Sequence, residues 1–507
     1  MRTRFWTAGR IVVALALAKL LFHLITYRGY GIFRDELYYL ACGRHLAFGY
    51  VEFPPMIAVL SRAITSVLGE SLFAIRLLPA IAGACAVALT AMIARELGGG
   101  RFAQALAGLS VIVVPAWMSI DHFMNTNAFD PLFWGGCAWM AIRAWKTGDS
   151  RYWLGFGVLA GLGLENKHAM LFFGFGIVAG LLLTARRKDF AQRNLWLGGL
   201  IAALLFLPNV LWEIRLGWPT LEFLQNAVKY KNAILTPGEF LATELQLTFA
   251  AVPVWIAGLW FFFFHPRGKS YRALGWTFVV VCVTLIVLHG KGYYLLPAYP
   301  MLLGAGGVQL EESLALRSRQ WTRPALVGLM LVLAAVSAPM ALPLLPVETF
   351  VRYAAWLGAK NPVEERHKMG RLPQFYADMF GWRNMAEQVA KVFDSLSAQD
   401  QPRAAIFTYN YGDAGAIDYF GPSLGIPNAI SGHNNYWLWG PPPVDPQVLI
   451  VIGGGDSVLH QFYAEVRAAG TISEPNAMPF ENDLTIWVCR EPQVSLRQLW
   501  PKLKHYI

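Results

Sequence analysis

Charge is what this sequence is short of. Only 15% of its 507 residues are Asp, Glu, Lys or Arg, while 56% are hydrophobic. A soluble globular chain carries about 25% charged residues, so an ordinary water-soluble globule is excluded. Cysteine is sparse too. Cys42, Cys85, Cys137, Cys282 and Cys489 show no metal-ligand spacing and three lie in apolar runs, so neither a disulfide framework nor a zinc site is expected. G-x-G-x-x-G is missing as well. QVLIVIGGGDS (447–457) puts glycines after a strand-like run, but no ribose-binding acid follows, and a nucleotide site is not expected.

What is present is a succession of apolar windows of about 20 residues, each long enough to cross a ~30 Å hydrocarbon core. Eleven spans are expected, near 11–27, 74–94, 102–119, 129–145, 153–165, 168–185, 195–213, 247–264, 273–289, 296–312 and 324–344. The formal charge of +10 is concentrated in a few clusters: Arg2/Arg4/Arg10, Arg95/Arg101, Lys146/Arg151, Arg186/Arg187/Lys188/Arg193, Arg267/Lys269/Arg272 and Arg317/Arg319/Arg323. With the N-terminus inside, every cluster falls on the cytoplasmic side, as the positive-inside rule requires. The excess charge is therefore a topology signal, not a nucleic-acid one. The first span lacks a small-residue cleavage site and reads as an uncleaved anchor.

This topology leaves 28–73, 214–246 and everything after about 345 outside. The tail begins at PLLPVE (343–348) and reads as a soluble extracytoplasmic α/β domain. AAIFTYNYGDAGAIDYFG (404–421) and QVLIVIGGG alternate short strands with Gly-rich turns, and SVLHQFYAEVRAAG (457–470) is helix-like. The expected division is a membrane domain over 1–345 and a periplasmic α/β domain over 346–507.

Polar residues gather at the outer ends of spans. Arg34-Asp35-Glu36 is followed by His45 and by GYVEFPPMIAV (49–59) with Glu52. Pro54-Pro55 forces the preceding residue to be extended, so 33–68 reads as two short interfacial helices joined by a rigid turn. SIDHFMNTNAFDP (119–131) holds Asp121, His122, Asn127 and Asp130. ENKH (165–168) holds Lys167 and His168, and HGKGYY (289–294) holds Lys291, Tyr293 and Tyr294. Each group has a plain structural reading: a solvated interfacial face, a helix N-cap at Asp130, or snorkelling lysines. Together they bring carboxylates and cations to one depth of one membrane face. That suits transfer involving an anionic lipid head group, with cations on a phosphate and a carboxylate removing a proton from an acceptor. Asp35, Glu52, Asp121, His122 and Asp130 also admit a divalent metal, with oxygen ligands for magnesium, manganese or calcium and the histidine for zinc, but the sequence does not bring them together and no metal is assigned. A transporter or flippase of a lipid-linked anion is the alternative, and a scaffold working through its tail a third. The middles of the spans are nearly free of charge and no inverted repeat is visible, which favours the enzyme.

These motifs resemble the GT-C membrane glycosyltransferases of the family 39 type, which include the protein mannosyltransferases and aminoarabinose transferases. The resemblance rests on the acid pair of the first loop, G-Y-x-[DE]-x-P-P, the acid-bearing third-to-fourth loop, the lysine late in the fifth span and K-x-Y-Y-L-L-P-x-x-P (291–300). FDPLFW (129–134), GLGLENKHAMLFF (161–173), NYGDAGAIDYFGP (410–422) and SGHNNYWLWG (431–440) are similar to a bacterial branch of that group. The resemblance implies inverting transfer of a sugar from a polyprenyl-phosphate donor at the periplasmic face of the inner membrane. It implies Asp35 as base, Glu36 as its paired acid and Asp130 as a further active-site carboxylate. Arg34, Lys167, His168 and Lys291 become the donor-phosphate cations. One position departs: aminoarabinose transferases carry a lysine where this chain has Phe53. In the tail, His433, Asn434, Trp437 and Trp439 set aromatic faces beside amides. That suits either acceptor-sugar recognition or an aromatic packing cluster.

Overall fold

A computed structural model of the chain describes residues 7–316, 318, 321–359 and 365–507. Arg2, Arg4, Arg317 and Arg319 of the basic clusters lie outside the described residues. The chain divides into two compact units, neither continuous in sequence. One comprises 1–29, 73–212 and 234–346, the other 30–72, 213–233 and 347–507.

The first unit is helical because a chain in lipid must satisfy its backbone hydrogen bonds within each segment. Among the described residues, Ala8–Thr26, Leu72–Glu96, Arg193–Arg215, Pro237–Phe264, Arg267–Val287 and Thr322–Ala341 are long and apolar enough to cross a membrane. Met170–Leu182 and Ala185–Ala191, bent by 109°, make a seventh if counted as one span. This is a multi-pass membrane protein. Other expected spans map to shorter helices: Arg101–Val113 continued by Pro115–Ile120, Asp130–Thr147, Tyr152–Asn166 and Tyr299–Ser313. Small residues let helices touch where lipid supplies no hydrophobic drive. A Cβ on Gly306 would overlap the Val254 carbonyl oxygen, and one on Gly258 that of Leu302.

The second unit is built on a five-stranded sheet of order β2-β1-β3-β5-β4, with β1 Ala404–Thr408, β2 Ala429–Ser431, β3 Val448–Ile452, β4 Tyr463–Ile472 and β5 Leu484–Pro492. β1 runs parallel to β2 and β3, while β5 is antiparallel to β3 and β4. Every residue of β3 is buried, as a central strand covered on both faces requires.

Two local expectations are corrected. The helix-like stretch 457–470 is a short helix, Asp456–Leu459, followed by β4, where pairing with β5 from Tyr463–Pro492 to Ile472–Leu484 overrides helical propensity. The glycine-rich stretch after β1 is a helix, Tyr411–Phe420, started by Asn410, whose side-chain oxygen accepts the Asp413 N–H at 2.9 Å. Its glycines face the first loop. A Cβ on Gly412 would lie 2.6 Å from Cγ of Arg34, and one on Gly415 2.9 Å from Cβ of Leu37. Helix Arg34–Arg44 therefore packs closely on helix Tyr411–Phe420.

Candidate active site

The acid pair of the first loop is split by helix geometry. Helix Arg34–Arg44 follows the extended Phe33, and Glu36 sits at its third position, 1% exposed. There its Oε2 accepts the Phe33 N–H at 2.8 Å, a capping role that satisfies an otherwise orphaned donor. Asp35 points away, with its side chain 32% exposed. Its Oδ1 accepts the Tyr411 hydroxyl at 2.9 Å and lies 3.8 Å from Arg34 Nε. Arg34 is held in turn by Asp378, 3.5 Å from Nη2, and its guanidinium lies over the Tyr411 ring. Burial pushes the Asp378 carboxyl up to about 7, although Arg34 pulls it down. Arg34 is thus tied to two carboxylates of its own chain.

Glu52 lies in the same unit. Its Oε2 accepts the Tyr38 hydroxyl at 2.9 Å and its Oε1 accepts the Asn434 amide. Burial pushes its carboxyl up to about 8, against the opposing pull of Tyr38, Lys231 and Asn434. Phe53 is buried and packs its ring against Tyr38, Tyr39 and Tyr50. The residue that replaces the expected lysine belongs to an aromatic core.

The tail loop turns inward. His433 Nδ1 accepts the Tyr411 N–H at 3.2 Å and its Nε2 lies 2.9 Å from the Ile507 oxygen. Burial lowers its pKa well below the ordinary value, which fits a neutral ring accepting on one nitrogen and donating from the other. Asn434, fully buried with φ at 48°, accepts the Ile507 N–H as well as reaching Glu52. Trp437 Nε1 donates to the Trp500 carbonyl, and Trp439 stacks on His45 at 4.2 Å between centroids. Each of the four has a partner within the unit. No surface sugar platform is needed to account for them.

The other predicted residues lie in the membrane unit. Asp130, 1% exposed at the start of its helix, accepts from Asn166 Nδ2 at 2.7 Å, and Asn166 also donates to the Thr126 carbonyl. Lys167 donates to Asn127 Oδ1, and its ammonium stands 4.4 Å from the Tyr294 ring centroid and 5.6 Å from that of Tyr293. Asn127, Asp130, Asn166, Lys167, Tyr293 and Tyr294 thus form one polar group, with a cation over two aromatic faces. Lys291 precedes the turn Gly292–Ala298 that carries both tyrosines. His168 Nε2 is 3.4 Å from Asn209 Oδ1. Asp121 is used otherwise: it pairs at 2.7 Å with Lys19, both side chains buried. Lys19, one charge inside an apolar first span, is a partner that hydropathy averaging hides. His122 faces His23 of the same helix as Lys19, with ring centroids 6.2 Å apart. Among the described residues no group of three or more His, Cys, Asp or Glu side chains is arranged to hold a metal ion. The first-loop acids and the Asp121–His122–Asp130 set belong to different units.

The reading of the sequence missed Tyr38, Tyr411, Asp378 and Asn166. Tyr411 and Asn166 stand inside stretches that drew attention for other residues, and nothing local marks Asp378.

Residues 52–212 match the family model described as dolichyl-phosphate-mannose-protein mannosyltransferase. Lipid A galacturonosyltransferase RgtD of Rhizobium johnstonii is 28% identical over 274 residues, 52% of this chain and 56% of that protein. The chain thus matches about half the length of this curated relative. Among solved structures, ArnT from Cupriavidus metallidurans bound to undecaprenyl phosphate aligns with a TM-score of 0.61 at 14% identity, over 94% of this chain and 97% of that one. The arabinofuranosyltransferase AftD from Mycobacteria aligns at 0.52 and 13% identity, over 95% of this chain and 40% of that one. Such low identities speak for the fold alone. With the family match over 52–212 and the motifs in order, they make the chain similar to the GT-C glycosyltransferases of the family 39 type.

Proposed function

We propose that the protein transfers a sugar, with inversion, from a polyprenyl-phosphate-linked donor to an acceptor at the periplasmic face of the bacterial inner membrane. In this reading the N-terminus is cytoplasmic, the chain crosses eleven times and the tail is periplasmic. The observation that carries it is the split acid pair. Glu36 is consumed as a helix cap, while Asp35 keeps a partly exposed carboxylate, steadied by a tyrosine hydroxyl. A general base needs that combination of access and fixed orientation.

Asp35 takes the proton of an acceptor hydroxyl or amine as its oxygen or nitrogen attacks the anomeric carbon. The bond to the lipid phosphate breaks on the opposite face, which gives inversion. The resemblance implies Lys167 and Lys291 as the cations for the departing phosphate, and within its own unit Lys167 is backed by Tyr293, Tyr294 and Asn127. Arg34 is already tied to Asp35 and Asp378.

The test is an assay of purified protein with undecaprenyl-phosphate sugars. The relative's name makes a galacturonosyl donor and lipid A the first pair to try. Asp35→Asn is expected to lower turnover by about 100-fold or more, the usual size of general-base loss. Equal release of undecaprenyl phosphate by wild type and Asp35→Asn would sink the assignment.

A further inference from the structure

Of the tail residues that suit either acceptor recognition or packing, Asn434 reaches Glu52 and Trp439 stacks on His45 of the first loop. Tyr411 is 7% exposed. Its ring stacks on Tyr38 with centroids 4.5 Å apart and planes at 24°, and it also meets the Arg34 guanidinium and the His433 ring, the latter at 4.9 Å. Its backbone N–H is fixed by His433, which the Ile507 oxygen fixes in turn. Gly412 and Gly415 bring its helix against Arg34 and Leu37. The hydroxyl donates to Asp35 Oδ1 at 2.9 Å.

We propose that Tyr411 is a positioning residue for Asp35, so that the C-terminal tail supplies part of the catalytic apparatus instead of a separate recognition module. The proposal rests on Asp35 being the base. An aspartate has two soft torsions, and a carboxylate beside Arg34 alone would turn towards the cation. A hydroxyl donor on the same oxygen holds one oxygen fixed and leaves Oδ2 to receive the acceptor proton. No bond of Tyr411 is made or broken in the reaction.

Tyr411→Phe removes the hydroxyl and keeps the stacked ring. With the galacturonosyl donor, kcat is expected to fall about 10- to 100-fold, the worth of a hydrogen bond to a charged group, while the donor KM stays within about twofold. In the Asp35→Asn background the same change should cost nothing further, since two residues that act through one contact are not additive. Retention of wild-type kcat by Tyr411→Phe, or an equal loss in both backgrounds, overturns the proposal. Full turnover by Asp35→Asn overturns the base assignment instead, which separates the two failures. A measurement independent of turnover is carbodiimide labelling of Asp35 read by mass spectrometry. Labelling should rise several-fold in Tyr411→Phe at an unchanged melting temperature, and an unchanged labelling rate overturns the positioning role.

Discussion

Single side chains decide what the two acids of the first loop can do. Glu36 is placed by helix periodicity where its own backbone needs an acceptor, and Asp35, one residue earlier, is turned to a partly exposed side. A sequence shows the pair but not this split, because Tyr411, which makes the difference, lies 376 residues away. Glu52 gives a pH prediction. Its carboxyl rises from 4.5 to about 8 on folding because burial penalises the anion. The folded chain then holds a proton that the unfolded chain has released. Stability is therefore highest below about 4.5 and falls as pH rises through about 8. Glu52→Gln should flatten the fall in melting temperature between these limits and raise it at pH 8. Asp378, pushed up to about 7, acts with the same sign, so a shallower slope should survive in the variant. A melting profile of the variant parallel to wild type would show that Glu52 is not held protonated.

At the level of elements, much was legible where one period dominates. Long apolar helices and the two short helices about Pro54-Pro55 follow from local pattern alone. What was misread is instructive. YAEVRAAG has helical propensity, yet β4 is a strand because β5 offers it a ladder. YGDAGAIDYF carries two glycines, which argue for turns, yet it is a helix because those glycines are where helix Arg34–Arg44 comes close. In both cases a distant segment outweighs local propensity. Gly415→Val tests this contact. The added side chain meets Leu37, and overpacking of this kind costs about 1–3 kcal/mol. A lower melting temperature and faster proteolysis within 33–44 are expected. Gly328→Val, on a membrane helix where a Cβ meets nothing within 4 Å, should leave both unchanged.

For the molecule as a whole, the composition shift near residue 345 suggests a tail that could be cut away. The compact unit that contains it says otherwise, because 30–72 and 213–233 belong to the same body. The tail's face towards these segments is apolar and close-packed at Gly412 and Gly415 and polar at Tyr411, Asn434 and Asn435. Each of these polar groups is satisfied by Asp35, Glu52, Tyr38 or the Val51 N–H. Lys504 pairs with Glu222 at 2.6 Å, and Asn226 donates to the Tyr506 carbonyl. An excised 347–507 would expose all of this to water and lose the packing of helix Arg34–Arg44. The buried area lost removes stability roughly in proportion, from a fold whose margin is only about 5–15 kcal/mol. The isolated fragment is therefore expected to be protease-sensitive and to lack a cooperative melt by circular dichroism. A fusion of 30–72 and 213–233 to 347–507 through flexible linkers should recover one. If 347–507 alone melts cooperatively and resists protease, the tail is an autonomous domain. Its hold on Asp35 would then be a docking contact, not part of one fold.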